Sequence, residues 1–187
     1  MPRSSSPAAG GAWTSNSHPR ICSPSPVRGS RRSPVHSGRG PRGRVTGVKL
    51  TEGTLPPLAE ALALYDAVGW SAYTRDPGRL QRSLAGSHLV LTVRDDDGSL
   101  LGLARTVSDD ESVCYLQDIL VHPDARRRGV GRALVLHVQE RYRHCMFIAL
   151  STDADSTADA ALSHPFYRSL GFSPHPELGL AAFGYRP

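Results

Sequence analysis

Sixteen residues constrain this chain more than any others: Ile119-Leu-Val-His-Pro-Asp-Ala-Arg-Arg-Arg-Gly-Val-Gly-Arg-Ala-Leu134. An apolar strand runs into a short basic loop with two glycines, and the loop runs into a helix. Such a junction gathers backbone N–H groups beside about half a unit of positive charge, which makes a seat for a phosphate. Gly129 and Gly131 let the backbone approach a ligand closely. Two better-known phosphate loops do not fit. A Walker A loop needs Gly-Lys-Ser/Thr, and Gly131 is followed by Arg132-Ala133. The dinucleotide fingerprint needs a third glycine where Leu134 stands. The bland alternative is a solvated Arg-rich turn at an ordinary helix entry.

Spacing predicts the elements around this junction. Residues 48–51 form a short first strand. Leu58, Leu62, Tyr65 and Val68 recur at helical spacing, which predicts an amphipathic helix over 57–68 that ends at Gly69. Asp76-Pro77 pairs an N-cap residue with a proline at the first helical position and opens a second helix, which carries Leu80 and Leu84 and stops at Gly86. The β-rich runs 88–94 and 100–107 are joined by Asp95-Asp96-Asp97-Gly98-Ser99, a hairpin signal, and 113–121 is a third run. A helix over 131–144 places Leu134, Val138 and Tyr142 on one stripe. A buried strand over 146–151 and a mostly helical stretch over 156–170 follow, and Gly171 with Phe172 begins a last hairpin. The order β-α-α-β-β-β-α-β-α-β predicts an α/β fold with a mixed sheet.

Charge divides the chain in two. Residues 1–44 hold eight arginines and no acidic residue, whereas the remainder has fourteen basic against seventeen acidic side chains, a net of −3. The basic balance therefore belongs to the first quarter, and the predicted domain, 45–187, carries no charge bias towards nucleic acid. With ten Ser, seven Pro, six Gly and eight Arg, 1–44 has too little apolar surface to offset its ordering entropy and is expected to be a disordered tail. A transit peptide, an arm for nucleic acid and an arm for an acidic partner compete as functions for it. The composition also matches GC-rich untranslated DNA read in frame, with Val45 or Val48 as the true start. The chain contains no run of 18 apolar residues, so no transmembrane helix is expected. No apolar stretch follows Arg3 to make a secretory signal. Cys22, Cys114 and Cys145 are scattered, and the eight histidines form no HExxH, so neither a disulfide framework nor a metal site is expected. The default setting is cytoplasmic.

Arg126-x-x-Gly129-x-Gly131 after a strand ending Val121-His-Pro resembles motif A of the GNAT superfamily, the acetyl-CoA-dependent N-acetyltransferases. Phe166-Tyr167-Arg168-Ser169-Leu170-Gly171-Phe172 resembles the fourth-helix signature of the same superfamily, and the order and spacing agree over roughly residues 48–185. Val68-Gly69-Trp70, Gly102-Leu-Ala-Arg-Thr-Val-Ser-Asp109 and Leu116-Gln-Asp-Ile-Leu-Val121 look like the branch holding small bacterial and plastid serotonin N-acetyltransferase-like enzymes. The resemblance implies that acetyl-CoA is the cosubstrate. Its pyrophosphate would lie on the N–H groups of Arg127, Arg128, Gly129, Val130, Gly131 and Arg132, with Arg126, Arg127 and Arg128 adding charge. Its pantetheine amides would pair with the strand edge at Ile119, Leu120 and Val121, where this strand splays from the next. A backbone N–H near Leu120 would meet the thioester oxygen.

The implied reaction is direct acetyl transfer to a primary amine in a ternary complex. The acceptor is expected to be a small molecule rather than a protein lysine, and the enzyme a monomer or homodimer. An alkylamine with a pKa of about 10.4 costs roughly 4–5 kcal/mol to deprotonate at neutral pH, so a base is needed. Asp118, acidic within an apolar strand, is the candidate, although strict alternation puts it opposite Tyr115, Gln117 and Ile119. His122, Glu111 and Asp153 are alternates, and a structural aspartate is the plain alternative. Tyr167 is the candidate acid for the departing thiolate. Two features depart from the family pattern. Pro165 should kink or restart the helix before Tyr167, and Ala160 stands where many relatives have an asparagine that contacts pantetheine, a contact Ser163 could replace. These departures motivate a second function, an acyl-CoA sensor without turnover. Trp70 fits a core or cleft wall, and Cys114 and Cys145 fit small core fillers.

Overall fold

The computed structural model describes residues 48–185. The tail expected over 1–44 lies outside the described residues. From Val48 the elements are β1 (Val48–Glu52), α1 (Leu58–Ala67), α2 (Ser71–Thr74), α3 (Pro77–Ala85), β2 (Leu89–Asp95), β3 (Leu100–Ser108), β4 (Val113–Val121), α4 (Val130–Arg141), β5 (Phe147–Leu150) and α5 (Ala160–Arg168). The sheet runs β1-β2-β3-β4-β5, with antiparallel pairs up to β4 and a parallel pair between β4 and β5. This is the mixed α/β sheet that the element order predicts.

Local chemistry accounts for most of the boundaries. Asp76 accepts a hydrogen bond from the Arg79 N–H at 2.9 Å, and Pro77 opens α3 behind it. The β2–β3 hairpin closes with Gly98 at φ +88°, where its N–H donates to the Asp95 carbonyl at 3.0 Å. The one-turn helix α2 is an element that spacing does not predict.

Both sheet faces are covered. On one, Leu91, Val93, Ala104 and Leu116 pack beneath Leu134 and Val138 of α4, with Phe166 and Phe172 against them. On the other, Val90, Leu103 and Leu120 pack beneath Leu64 and Tyr65 of α1 and Leu80 of α3. At Gly102 an added Cβ would lie 2.7 Å from Val130 Cγ1, so glycine there is what lets α4 approach β3.

Three expectations are corrected. No strand forms after Gly171 among the described residues: a 3-10 turn spans His175–Leu178 and the chain continues without strand pairing. Pro174 and Pro176 lack the N–H groups that a ladder would need. Helix α5 takes up Ala160–Arg168 of the mostly helical stretch and runs through Pro165 without restarting. Strand β5 is half-buried along its length rather than fully buried.

Candidate functional site

The cleft begins where β4 and β5 part. Pairing extends from Val113 with Phe147 to Leu116 with Leu150 and stops there, while β4 continues to Val121. Among the described residues, the side of 117–121 turned towards β5 is therefore a free edge. His122 donates its N–H to the Leu101 carbonyl of the neighbouring chain segment at 2.8 Å. By the two-residue period the N–H of Leu120 also turns towards β3, and those of Ile119 and Val121 face the open side. The N–H groups near Leu120 that face the open side are therefore those of Ile119 and Val121.

Below this edge the basic loop closes onto α4. Gly129 is the N-cap at φ +83°, a left-handed conformation that glycine adopts without strain, and Arg127 is left-handed at φ +60°. The N–H groups of Val130, Gly131 and Arg132 open the helix and have no helical carbonyl to bond. Free N–H groups and the positive end of the helix dipole coincide there, an arrangement that favours an anion. The three loop arginines are not equivalent. Arg128 forks onto the Asp95 carboxylate at 3.3 Å, while Arg126 and Arg127, and Arg132 on the helix, are exposed and have no acidic partner among the described residues.

The cleft has a volume of about 630 Å³. Ile119, Leu120, Val121 and the loop form one wall, and Trp70, Asp153, Ser163 and Tyr167 stand in the others. Ser163 Oγ is buried and lacks a hydrogen-bond partner among the described residues, and Ala160 packs in the core one turn before it. Tyr167 touches Phe166 and Phe172 edge-on at 5.1 and 6.0 Å. Burial first, and the charge of Asp153 second, push its hydroxyl up to about 12. His164 donates from Nε2 to the Asp153 carbonyl at 2.7 Å, which ties the segment after β5 to α5.

Asp118 is elsewhere. It is 2 % exposed and is not among the residues lining the cleft. Tyr65 and Tyr73 donate their hydroxyls to its two oxygens at 2.7 and 2.9 Å, and the buried Arg105 opposite it in register completes an ion pair. Burial first, and the Asp118 charge second, hold both tyrosine hydroxyls above their usual range, so they remain donors. Tyr73 stacks on Trp70 with centroids 5.9 Å apart.

Strict alternation along β4 fails because the register with β3 slips at Arg105/Thr106, leaving Gln117 as an extra residue. Cys114 and Leu116 thus face α4, whereas Asp118 and Leu120 face α1 and α3. Nothing in the spacing around Asp118 points to Arg105, Tyr65 or Tyr73 as its partners. A lone arginine inside the apolar run of β3 was the signal that Asp118 had a buried counterion.

The remaining candidates are also placed. His122 accepts the Asp124 N–H at 3.3 Å, and the Glu111 N–H donates to Asp109 in the β3–β4 loop; neither residue lines the cleft. Of the alternates only Asp153 lines it. Cys114 is buried, which pushes its thiol up to about 12 and leaves it inert as a nucleophile. No group of three metal-ligating side chains occurs among the described residues.

Comparison with known proteins gives concordant matches. The sequence model of the acetyltransferase (GNAT) family matches residues 55–172. An N-acetyltransferase of uncharacterized function, ycf52 of Pyropia yezoensis, is 25% identical over 131 residues, which cover 68% of this chain and 71% of that protein. The solved GNAT-family acetyltransferase SP0256 from Streptococcus pneumoniae aligns with a TM-score of 0.63 at 26% identity, covering 75% of this chain and 98% of that one. An aminoglycoside N-acetyltransferase solved in complex with CoA shares the fold with a TM-score of 0.54 at 19% identity, over 78% of this chain and 97% of that one.

Proposed function

From the premise that this chain belongs to the acetyltransferase (GNAT) family, and so is an acetyl-CoA-dependent N-acetyltransferase, we propose that it passes the acetyl group directly to a small primary amine while both substrates are bound. The observation that carries this proposal is the free β4 edge leading straight into the open N-terminus of α4. The edge suits a chain of amides and the helix end suits a pyrophosphate, in the order in which the coenzyme presents them. Arg126, Arg127 and Arg132 supply charge to the phosphates, while Arg128 braces the loop through Asp95. Ser163, with its unpartnered hydroxyl, takes the pantetheine contact that Ala160 cannot make.

The amine nitrogen attacks the thioester carbonyl carbon; a C–N bond forms and the C–S bond breaks. The N–H of Ile119 or Val121 stabilises the oxygen as charge develops on it. Before attack the ammonium gives one proton to Asp153, directly or across one water, and the second, acidic once the C–N bond has formed, leaves to solvent. The departing thiolate takes its proton from the Tyr167 hydroxyl, which is refilled from solvent. Asp118, with both oxygens engaged, acts as a positioning residue that fixes Tyr73 and, through it, Trp70 on the cleft wall.

The deciding experiment measures thiol release from acetyl-CoA across arylalkylamines, polyamines, aminoglycosides and lysine peptides. Release with a small amine and not with the peptides is the expected result. Release only with peptides would move the acceptor to protein lysine. Coenzyme-induced thermal stabilisation with no release on any amine would leave a sensor instead.

A further inference from the structure

Asp153 lines the cleft from a lightly held stretch of chain. Between the end of β5 at Leu150 and the start of α5 at Ala160, residues 151–159 are exposed and form neither helix nor strand. Thr157 donates its N–H back to the Ala154 carbonyl at 2.9 Å, and Thr152 donates its hydroxyl to Asp153 itself. Among the described residues, the one side chain that reaches residues 152–156 from outside this stretch, by hydrogen bond or ion pair, is that of His164 on α5.

His164 makes two contacts there. Its Nε2 donates to the Asp153 carbonyl at 2.7 Å, and its Nδ1 lies 3.1 Å from the Asp155 carboxylate. A carbonyl and a carboxylate can only accept, so this geometry calls for hydrogen on both ring nitrogens, the imidazolium form. Arg168, one turn further along α5, forks onto Glu177 at 2.6 and 3.0 Å and so leaves Asp155 to the histidine. His164 is not among the residues lining the cleft, whereas Ser163 and Tyr167 on the same helix are. The ring therefore grips Asp153 by its backbone from outside the cleft. An exposed ion pair adds little stability, so the grip orients the segment rather than holding the fold together.

We propose that His164 is a positioning residue for the reaction: by bridging the Asp153 carbonyl and the Asp155 carboxylate, its imidazolium keeps the Asp153 side chain within reach of the acceptor amine. The inference rests on the reading of Asp153 as the base. A base has to stand within about 3 Å, or one water, of the proton it takes, and an ångström of displacement can cost about 10²-fold.

The test compares His164→Ala and His164→Gln, and His164→Ala combined with Asp153→Asn, in the full chain. The acceptor is the panel amine that releases thiol fastest. A second readout needs no chemistry: cutting by a protease that cleaves before aspartate, mapped by mass spectrometry. His164→Ala should lower kcat about 10-fold or more, with acetyl-CoA Kd and Tm unchanged. It should also speed cleavage before Asp153 and Asp155 by roughly 5-fold. His164→Gln, which keeps a donor for the carbonyl without the charge, should recover most of the kcat. Added to Asp153→Asn, His164→Ala should cost nothing further. A slow Asp153→Asn enzyme beside a His164→Ala enzyme of normal kcat would overturn the proposal and leave the base in place. A further loss in the double variant would overturn it too, because His164 would then act on something other than Asp153. Unchanged cleavage in His164→Ala would overturn the grip itself. If Asp153→Asn keeps normal kcat, the reading of the base falls and the positioning role falls with it, even where cleavage shows that the ring ties down the segment.

Discussion

Two hydroxyl–carboxylate arrangements in this protein look similar and do different work. Tyr167 faces the cleft with no hydrogen-bond partner among the described residues, and its proton is held to about 12. Tyr65 and Tyr73 donate their protons to a carboxylate that is 2 % exposed and does not line the cleft. Tyr167→Phe removes only the oxygen, so acetyl-CoA affinity should hold while kcat falls by about 10²-fold or more. Because its pKa is raised, the acid form persists where an ordinary tyrosine would have lost its proton. The kcat of the unaltered enzyme should therefore stay level from about pH 9 to about pH 10.5, and a decline centred near 10 would remove Tyr167 from the role. The same shift makes the folded state bind more protons than the unfolded chain above about pH 10, so its stabilising effect is full below that pH and fades as pH rises. Asp153→Asn and Asp118→Asn should separate base from scaffold. The Asp153 defect should shrink as pH approaches the amine's own pKa, where no base is needed. Asp118→Asn strands a buried Arg105 charge, which costs about 3–5 kcal/mol and lowers Tm by roughly 10 °C, with a rate defect indifferent to pH. A pH-dependent defect at Asp118 with an unchanged Tm would restore it as the base.

At the scale of elements, periodicity and end signals located nearly everything that depends on near neighbours. Asp76-Pro77, the turn at Gly98 and the junction into α4 are cases where a few adjacent residues fix the backbone, and each forms as spacing predicts. What escaped depends on registers and distant partners. The extra residue at Gln117 reverses the faces of β4 halfway along it, and nothing local to 113–121 announces this. Helix α5 survives Pro165 because Phe166 and Leu170 anchor it on the core, a tertiary gain that propensity does not count. In the basic loop, sequence could rank Arg126, Arg127 and Arg128 only as equals. The Asp95 carboxylate, thirty-three residues away, separates them. Arg126→Ala should raise the acetyl-CoA Kd about 10-fold, the value of one charge-assisted hydrogen bond, with kcat little changed. Arg128→Ala should raise it less than about 3-fold, since that charge is already half spent on the hairpin. Isothermal titration of both variants decides the point, and equal losses would mean that Arg128 leaves Asp95 when coenzyme binds.

For the whole molecule, the separation of charge and the closure of the core lead to the same prediction. The described fold closes on itself from Val48: β1 pairs with β2 through the full register from Val48 with Asp95 to Glu52 with Leu91, and the helices that cover both faces of the sheet all lie after β1 in sequence. The open N-terminus of α4 is flanked by Arg126, Arg127 and Arg132, three exposed charges that all lie within the described residues. A chain starting at Val45 should therefore keep the melting temperature and acetyl-CoA affinity of the full chain. The affinity comparison should be made at low and at moderate salt, because a long-range contribution from eight positive charges would be visible at low ionic strength and screened beyond a Debye length of about 8–10 Å at the higher one. Equal affinities in both buffers confine coenzyme binding to the domain. A loss at low salt alone would mean that the arginines steer the polyanionic coenzyme towards the cleft without touching it. A loss in both, or a lower melting temperature, would place part of 1–44 against the domain and move its boundary towards the N-terminus.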